Sequence, residues 1–292
     1  MNWQDKLAAS HAIIDEAIEL YKPIAVVGLF SGGHDSLTAC HVASQHTAFT
    51  TCLHIDTGIG VPETQQFVID TCDRQGWPLK VYRAAEYKRG DGTPDPQIYE
   101  ELIKAHGFPG PPHHYKMYCR LKERPLVQFI RETKVGHKRS DCILFISGCR
   151  SAESERRMGN VERIQKESSK VWSAVIHDWD KADCNRYLAD HKIPRNPVVD
   201  RLCKSGECLC GAFAKKGELL ELAAEYPKVA QRIRNLEREV WGDFPWGWEG
   251  RQPKWYEQKR AGYQFFEFFD ELDDGPPSEM MCTDCKAQAV GQ

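Results

Sequence analysis

Ile24-Ala-Val-Val-Gly-Leu-Phe30 leads directly into Ser31-Gly-Gly-His-Asp-Ser36. The first seven residues are apolar without alternation, the pattern of a strand buried on both faces of a parallel sheet. The next six are small or polar and make a turn, and Leu37 to about Gln45 reads as a helix. The same pattern follows downstream. Phe49 to Ile55 is a second strand, Asp56-Thr57-Gly58 a second loop, and Leu79 to Arg83 a third strand. Between them Pro62 sits well for the first turn of a helix that stops near Gly76. Upstream, Ile14, Ala17, Ile18 and Tyr21 share one face of an amphipathic N-terminal helix. A helix followed by β-α-β-α-β predicts the α/β class, with a doubly wound, mostly parallel sheet and right-handed crossovers.

Residues 88–118 are rich in Gly, Pro and His and predict a long loop with one short helix. A helix over Leu121–Thr133, a buried strand over Cys142–Ser147 and a short strand over Trp172–Ile176 follow. Asp180 can cap a helix that runs to about His191, where Pro194 and Pro197 end it. From about Arg201 the composition shifts to cysteines, a helical stretch and a Trp/Phe-rich end. The expected division is therefore a nucleotide-binding α/β domain over 1–200 and a cysteine-containing, helical and aromatic appendage over 201–292.

The chain has 292 residues, with 39 Lys plus Arg against 42 Asp plus Glu, for a net charge of −3. That balance excludes a generally basic nucleic-acid coat but allows a local basic patch. No apolar run approaches the roughly 18 residues of a membrane helix, and the N-terminus lacks the basic and apolar regions of a secretory signal. Twelve cysteines without an export signal point to a reducing, cytoplasmic setting. Cys40, Cys52, Cys72, Cys142 and Cys184 lie in apolar or helical contexts and read as small buried hydrophobes. Cys119, Cys149, Cys203, Cys208, Cys210, Cys282 and Cys285 fall in loops or clusters.

Ser31 to Ser36 has the chemistry of an anion site. Small residues let the backbone turn tightly and offer successive N–H groups at a helix N-terminus, and two hydroxyls add donors. Asp35 cannot help to bind bare phosphate, so it points to Mg²⁺ or an oriented substrate group. The phosphate loop G-x-x-x-x-G-K-[ST] and the dinucleotide fingerprint G-x-G-x-x-G are both absent from this turn.

The hexapeptide resembles the PP-loop, S-G-G-x-D-S, of the N-type ATP pyrophosphatases. His54-Ile-Asp-Thr-Gly58 with Pro62-Glu63-Thr64 and Phe67 looks like a segment of the phosphoadenosine-phosphosulfate (PAPS) reductase branch. Gly148-Cys-Arg150-Ser-Ala-Glu153-Ser154 with Arg157, then Trp172-Ser173, Asp178-Trp179, Tyr187-Leu188 and Asn196-Pro197, are similar to that family's later motifs and occur in its order. The resemblance covers about residues 24–212. It implies a Rossmann-like core of the adenine nucleotide alpha hydrolase type, with Ser31, Gly32, Gly33, Asp35 and Ser36 on phosphates and Asp56, Thr57 and Gly58 lining the nucleotide pocket. Arg150 and Arg157 would pair with phosphate or sulfate, a task suited to guanidinium geometry; ion pairing with Glu153 and Glu155 is the alternative for both. The implied activity is cleavage of Mg-ATP at the α-phosphate, with Asp35, Ser36 and Arg150 as catalytic candidates.

A sulfonucleotide reductase of this family is expected to attack sulfur with a thiolate in a Glu-Cys-Gly-x-His segment. Residues 281–285 read Met281-Cys282-Thr-Asp-Cys285 instead, a spacing suited to redox chemistry, to metal binding or to neither. Some relatives hold a [4Fe–4S] cluster with cysteines of a "C…LK" segment and of a turn after "NP". By that resemblance Cys119, Cys203, Cys208 and Cys210 are candidate ligands for iron–sulfur, with zinc and unligated thiols as alternatives. His113 and His114 are weaker ligand candidates, in a Pro-rich loop. Residues 115–139 carry Lys116, Arg120, Lys122, Arg124, Arg131, Lys134, Lys138 and Arg139 against Glu123 and Glu132, either a solvated face or a phosphate-tracking patch. Trp241, Trp246, Trp248, Trp255 and Tyr256 either stack bases or cap the core.

Three functions stay open at this point. The first is an ATP pyrophosphatase serving sulfur insertion or nucleic-acid modification, with an accessory role at a CRISPR or other defence locus implied by resemblance alone. The second is a sulfonucleotide reductase. The third is a non-catalytic nucleotide-binding partner in a protein complex. Oligomeric state is not legible.

Overall fold

The computed structural model describes residues 2–151, 161–253 and Tyr256. Helix α1 spans Trp3–Tyr21, and the Asn2 side chain accepts the Asp5 N–H at its start. Strand β1 (Ala25–Leu29), helix α2 (His34–Ser44), strand β2 (Phe49–Asp56), helix α3 (Pro62–Gln75) and strand β3 (Leu79–Arg83) follow. Pro62 occupies the first turn of α3, and Gly76 closes that helix at φ 67°, a conformation that costs glycine little. Helix α2 starts three residues earlier than its apolar pattern suggests. Gly33 is extended and acts as N-cap, so His34, Asp35 and Ser36 form the first turn.

Between β3 and strand β4 (Ile143–Ser147) the chain forms α4 (Tyr99–His106), α5 (His114–Tyr118), a π turn (Cys119–Glu123) and α6 (Arg124–Thr133). The long loop expected over 88–118 is thus partly helical. The sheet is completed by β5 (Ile164–Glu167) and β6 (Lys170–Ala174). β5 is short and polar and was not expected, because three of its four residues, Gln165, Lys166 and Glu167, carry no apolar signal. Helix α7 (Lys181–Asp190) opens with a reciprocal capping box of Asp180 and Asp183. Then come α8 (Pro197–Leu202), α9 (Glu218–Glu225) and α10 (Pro227–Val240).

The six strands run in the order β3-β2-β1-β4-β6-β5. All neighbours are parallel except β5 and β6. This is the α/β, Rossmann-like arrangement. The winding reverses between β1 and β4, where Ala25–Gly28 pair in register with Ile143–Ile146. At such a switch point the loops after two adjacent strands diverge and leave a crevice at the carboxyl ends.

One face of the sheet packs Val26, Cys52 and Leu144 against α1, α2 and α7 through Ile14, Leu37 and Leu188. The other packs Val27, Leu53, Phe145 and Trp172 against Leu126 and Phe129 of α6. A third apolar cluster joins Ile59, Val61 and Tyr99 to Leu222, Ile233, Leu236, Trp246 and Trp248, so residues 209–248 pack onto the segment after β2 and onto α4. Trp246 and Trp248 donate their ring N–H to the carbonyls of Phe108 and Leu209 (2.8 and 2.7 Å). They cap this core rather than face solvent, whereas Trp241 is exposed. Among the described residues no helix is long and apolar enough to cross a membrane.

Candidate functional site

The crevice is built first from the turn after β1. Gly32 takes φ +80°, and a Cβ there would lie 2.6 Å from Thr64 Cγ2, so both backbone and space require glycine. No side chain caps the N-terminus of α2. The first N–H groups of that helix are therefore available to an anion, with the helix dipole behind them. The Ser36 hydroxyl donates to the Gly33 carbonyl (2.9 Å) and shares a hydrogen bond with Ser31 Oγ (3.1 Å). The two hydroxyls and the open N–H groups thus lie in one turn.

The turn after β4 closes the other side. Gly148 lies against the start of α2: a Cβ would come within 2.6 Å of Ser36 N and 2.7 Å of the Asp35 carbonyl carbon. That contact lets Arg150 reach back to Asp35, with Nε and Nη2 at 3.1 and 3.0 Å from the same carboxylate oxygen. Arg150 is buried while the Asp35 carboxylate is about a quarter exposed. The pair stands at the rim of the anion turn, with its acidic member toward solvent. Burial, and then the nearby Asp35 carboxylate, push the Cys184 thiol up, so Cys184 is a neutral group beneath the pair.

The second loop stands one strand over. Asp56 accepts from Gly58 N–H (2.9 Å) and the Gln65 amide (3.2 Å) and faces Arg83 at 3.6 Å. Thr57 is buried and donates to the Glu207 carbonyl (2.8 Å). Val61 N–H donates to Gly206 O, and Leu209 N–H donates to Ile59 O. Gly60 has no room for a side chain, since a Cβ would sit 2.5 Å from Glu207 O. The turn over 205–209 is therefore laced to the loop over 57–61. Asn196, fully buried, joins the parts: its amide donates to Gly32 O (2.8 Å), its carbonyl caps α8 by accepting Val198 N–H (3.0 Å), and Thr64 lies beside it and donates to Ser205 O.

The phosphoadenosine phosphosulfate reductase domain matches residues 25–210, from β1 through the cysteine turn. The chain belongs to the PAPS reductase domain family. An uncharacterised protein of Methanocaldococcus jannaschii is 26% identical over 226 residues, 76% of this chain and 42% of that one. A phosphoadenosine 5′-phosphosulfate reductase of Thiocapsa roseopersicina is 26% identical over 172 residues, 59% of this chain and 65% of that one. The chain thus spans less than two thirds of the length of either relative. Among solved structures, a PAPS reductase from Candida auris gives a TM-score of 0.47 at 17% identity, over 65% of this chain and 83% of that one.

Within this PAPS reductase-like frame, the structure brings Ser31, Gly32, Gly33, Asp35, Ser36 and Arg150 together and sets Asp56, Thr57 and Gly58 at the neighbouring strand end. Arg157, with Glu153 and Glu155, lies outside the described residues, as do Cys282, Cys285 and Trp255.

The four cysteines singled out by resemblance do not form a ligand set. Among the described residues no group of three or more His, Cys, Asp or Glu is arranged to hold a metal ion. Cys119 is buried in the π turn with its thiol on Glu123 Oε2 (3.3 Å); burial and then that carboxylate push it up to about 12. Cys208 is half-buried and close to the buried Cys210, which together with burial holds its thiol well above the ordinary value. Cys203 is exposed at the end of α8, at φ 55°. Cys119 on Glu123 and the exposed Cys203 stand apart from the neighbouring Cys208 and Cys210, so as placed the four are not gathered into a four-thiolate iron–sulfur or zinc site. His114 stacks between Tyr118 and Phe213.

The cationic run over 115–139 is also largely engaged within the fold. Lys122 pairs with buried Glu207 (2.7 Å) and Arg124 with Asp95 (3.0 Å) under the Tyr87 ring. Arg120 donates to Gln97, Arg131 to Lys88 O, and Lys134 to Arg139 O. The run is not one solvent-facing stripe. The sequence shows Asn196 and Thr64 only as parts of motifs and Lys122 only as one charge of the basic run, and does not single out Glu207; the structure makes all four links between the turns. The Asn-Pro pair is a readable helix start, but its grip on Gly32 crosses 164 residues and leaves no local signal.

Proposed function

We propose that the chain is an adenine-nucleotide enzyme that cleaves ATP at the α-phosphate. The observation that carries this reading is the uncapped N-terminus of α2, with its two hydroxyls, beneath the Asp35–Arg150 pair at the β1/β4 switch point. In this reading the turn N–H groups and Ser31 and Ser36 hold the phosphates. Asp56, Thr57 and Gly58 line the nucleoside side, and Arg150 turns from Asp35 to phosphate oxygens as charge develops there.

A nucleophile oxygen attacks the α-phosphorus, the bond to the bridging oxygen breaks, and pyrophosphate leaves with the electron pair. The nucleophile's proton passes to solvent. The product is an adenylated acceptor, or AMP when water attacks. Asp35 would hold a magnesium ion brought with the nucleotide, since Mg²⁺ is bound by one or two carboxylates beside substrate phosphates, and the ion would supply neutralising charge for the leaving group. Such a reaction rests on positioning and electrostatics and needs no triad.

Product analysis by ion exchange tests this reading: AMP and pyrophosphate from Mg-ATP, lost in Asp35→Ala. ADP and phosphate from the wild type refute it. A second reading, sulfonucleotide reduction, is favoured by the names of the curated relatives and has Cys282 or Cys285 as nucleophile. Sulfite release from PAPS or adenosine phosphosulfate with thioredoxin present distinguishes it.

A further inference from the structure

The tip of the second loop is held from outside the family-matched residues. Helix α10 lies beyond residue 210, where the match ends. Its Arg232 donates from Nη1 to the Gly58 carbonyl at 2.6 Å. The same guanidinium is paired with Glu100, near the start of α4. Gly58 is left-handed at φ +74°, and its N–H is taken by Asp56. Both polar groups of this residue are thus fixed, the N–H from within the loop and the carbonyl from the appendage.

Arg232 does not hold α10 in place. That helix packs through Val229, Ala230, Ile233, Leu236 and Val240, all buried, while the Arg232 side chain is 43% exposed. It lines an open groove of about 620 Å³ between α4 and α10. A half-exposed arginine that bridges a carboxylate and a loop carbonyl contributes little to the core, but it fixes where that carbonyl points. Guanidinium suits this task because its donors are rigidly spaced and need not be re-ordered.

We propose that Arg232, oriented by Glu100, is a positioning residue for the nucleotide loop over Asp56–Gly58, so that the appendage takes part in substrate binding. The proposal rests on the reading of that loop as the nucleoside side of the site. With Arg232 absent, the Gly58 carbonyl loses the donor that aims it while the bonds of the loop to 206–209 remain, and that part of the loop must be set anew each time nucleotide binds.

The test uses the full chain and ATP, with two readouts. Hydrogen exchange of the amides over 58–61 is followed without ligand, and ATP affinity is measured by titration calorimetry. Arg232→Ala is expected to speed exchange over 58–61, leave the amides of 31–36 and of β1 unchanged, and weaken ATP binding roughly tenfold. Glu100→Gln changes both in the same direction by less, Arg232→Lys restores part of each, and Lys228→Ala, one turn away on the same groove, changes neither. Unchanged exchange over 58–61 in Arg232→Ala overturns the proposal. So does faster exchange with unaltered ATP affinity, because Arg232 is then structural only. A wild type that binds no ATP defeats the ATP reading on which the proposal rests and is seen before any variant is made.

Discussion

Replacing Asn196 separates two jobs done by one side chain. Its carbonyl oxygen caps α8 through Val198 N–H at 3.0 Å, and its amide holds the Gly32 carbonyl of the anion turn at 2.8 Å. Asn196→Ser retains a capping oxygen but is too short to reach Gly32; Asn196→Ala loses both. A lost N-cap costs about 1 kcal/mol. A buried carbonyl left without its donor costs about 1–3 kcal/mol. Because Asn196 is fully buried, water does not replace that donor. The expected loss of unfolding free energy is therefore about 2 kcal/mol for Asn196→Ser and about 3 kcal/mol for Asn196→Ala. Urea unfolding of both variants beside the wild type reads these values, and the same preparations give ATP affinity, which falls in both because Gly32 no longer has a fixed carbonyl. If Asn196→Ser lies within about 0.5 kcal/mol of the wild type and binds ATP equally well, Asn196 is a helix cap and the latch on the anion turn does not exist.

Gly148→Ala forces a methyl against the backbone of Asp35 and Ser36, so it is expected to lower ATP turnover by pushing α2 off the β4 turn; unaltered kinetics would show that the two turns need not touch. His41 is held down to about 4, first by burial and then by the neighbouring His191. The unfolded chain takes up that proton near 6.5, so this contribution to stability is full above pH 6.5 and is lost as pH falls toward 4. Chemical unfolding at pH 7 and at pH 5 should show a drop that His41→Gln reduces, and equal slopes would be contrary to it. Protein purified without oxygen is expected to carry no stoichiometric iron at the Cys203–Cys210 turn; iron that is present and lost in Cys208→Ser would overturn the misfit described for that turn. In native thiol titration, Cys203→Ser should remove one fast-reacting group, whereas Cys52→Ser should leave the fast phase as it is.

The sheet was legible because its strands carry continuous apolar runs bounded by glycine-rich turns. The Ser31–Ser36 turn was legible because its chemistry is local, six consecutive residues on one helix end. What was not legible is what crosses the chain. Arg150 and Asp35 are 115 residues apart, and the sequence assigned Arg150 to phosphate or sulfate, or to Glu153 and Glu155, not to Asp35. The polar strand β5 pairs with β6 because it lies beside it after a turn, not because its own residues prefer a sheet. The cysteines show the opposite difficulty. Cys203, Cys208 and Cys210 are close in sequence, yet a left-handed residue at 203 leaves that thiol exposed, while Cys208 and Cys210 stay neighbours in the turn paired with the β2 loop. Sequence proximity is thus a poor guide to shared coordination in a turn whose backbone is already engaged. Lys122 likewise read as one charge in a basic run, and nothing local announced its pairing with Glu207.

The hydrogen bond from Thr57 to the carbonyl of Glu207 spans 150 residues, and this has a consequence for when the site comes into being. Contacts so far apart in sequence carry a large loop-closure cost and form late. During synthesis β1, β2 and β3 have all left the ribosome long before residue 207 is joined to the chain. A nascent chain ending near residue 200 therefore has the anion turn and three neighbouring strands, but its second loop still has open N–H and C=O groups. On the proposed reading, competence to hold a nucleotide is therefore expected only after residue 207 has joined the chain, because the second loop is incomplete until then.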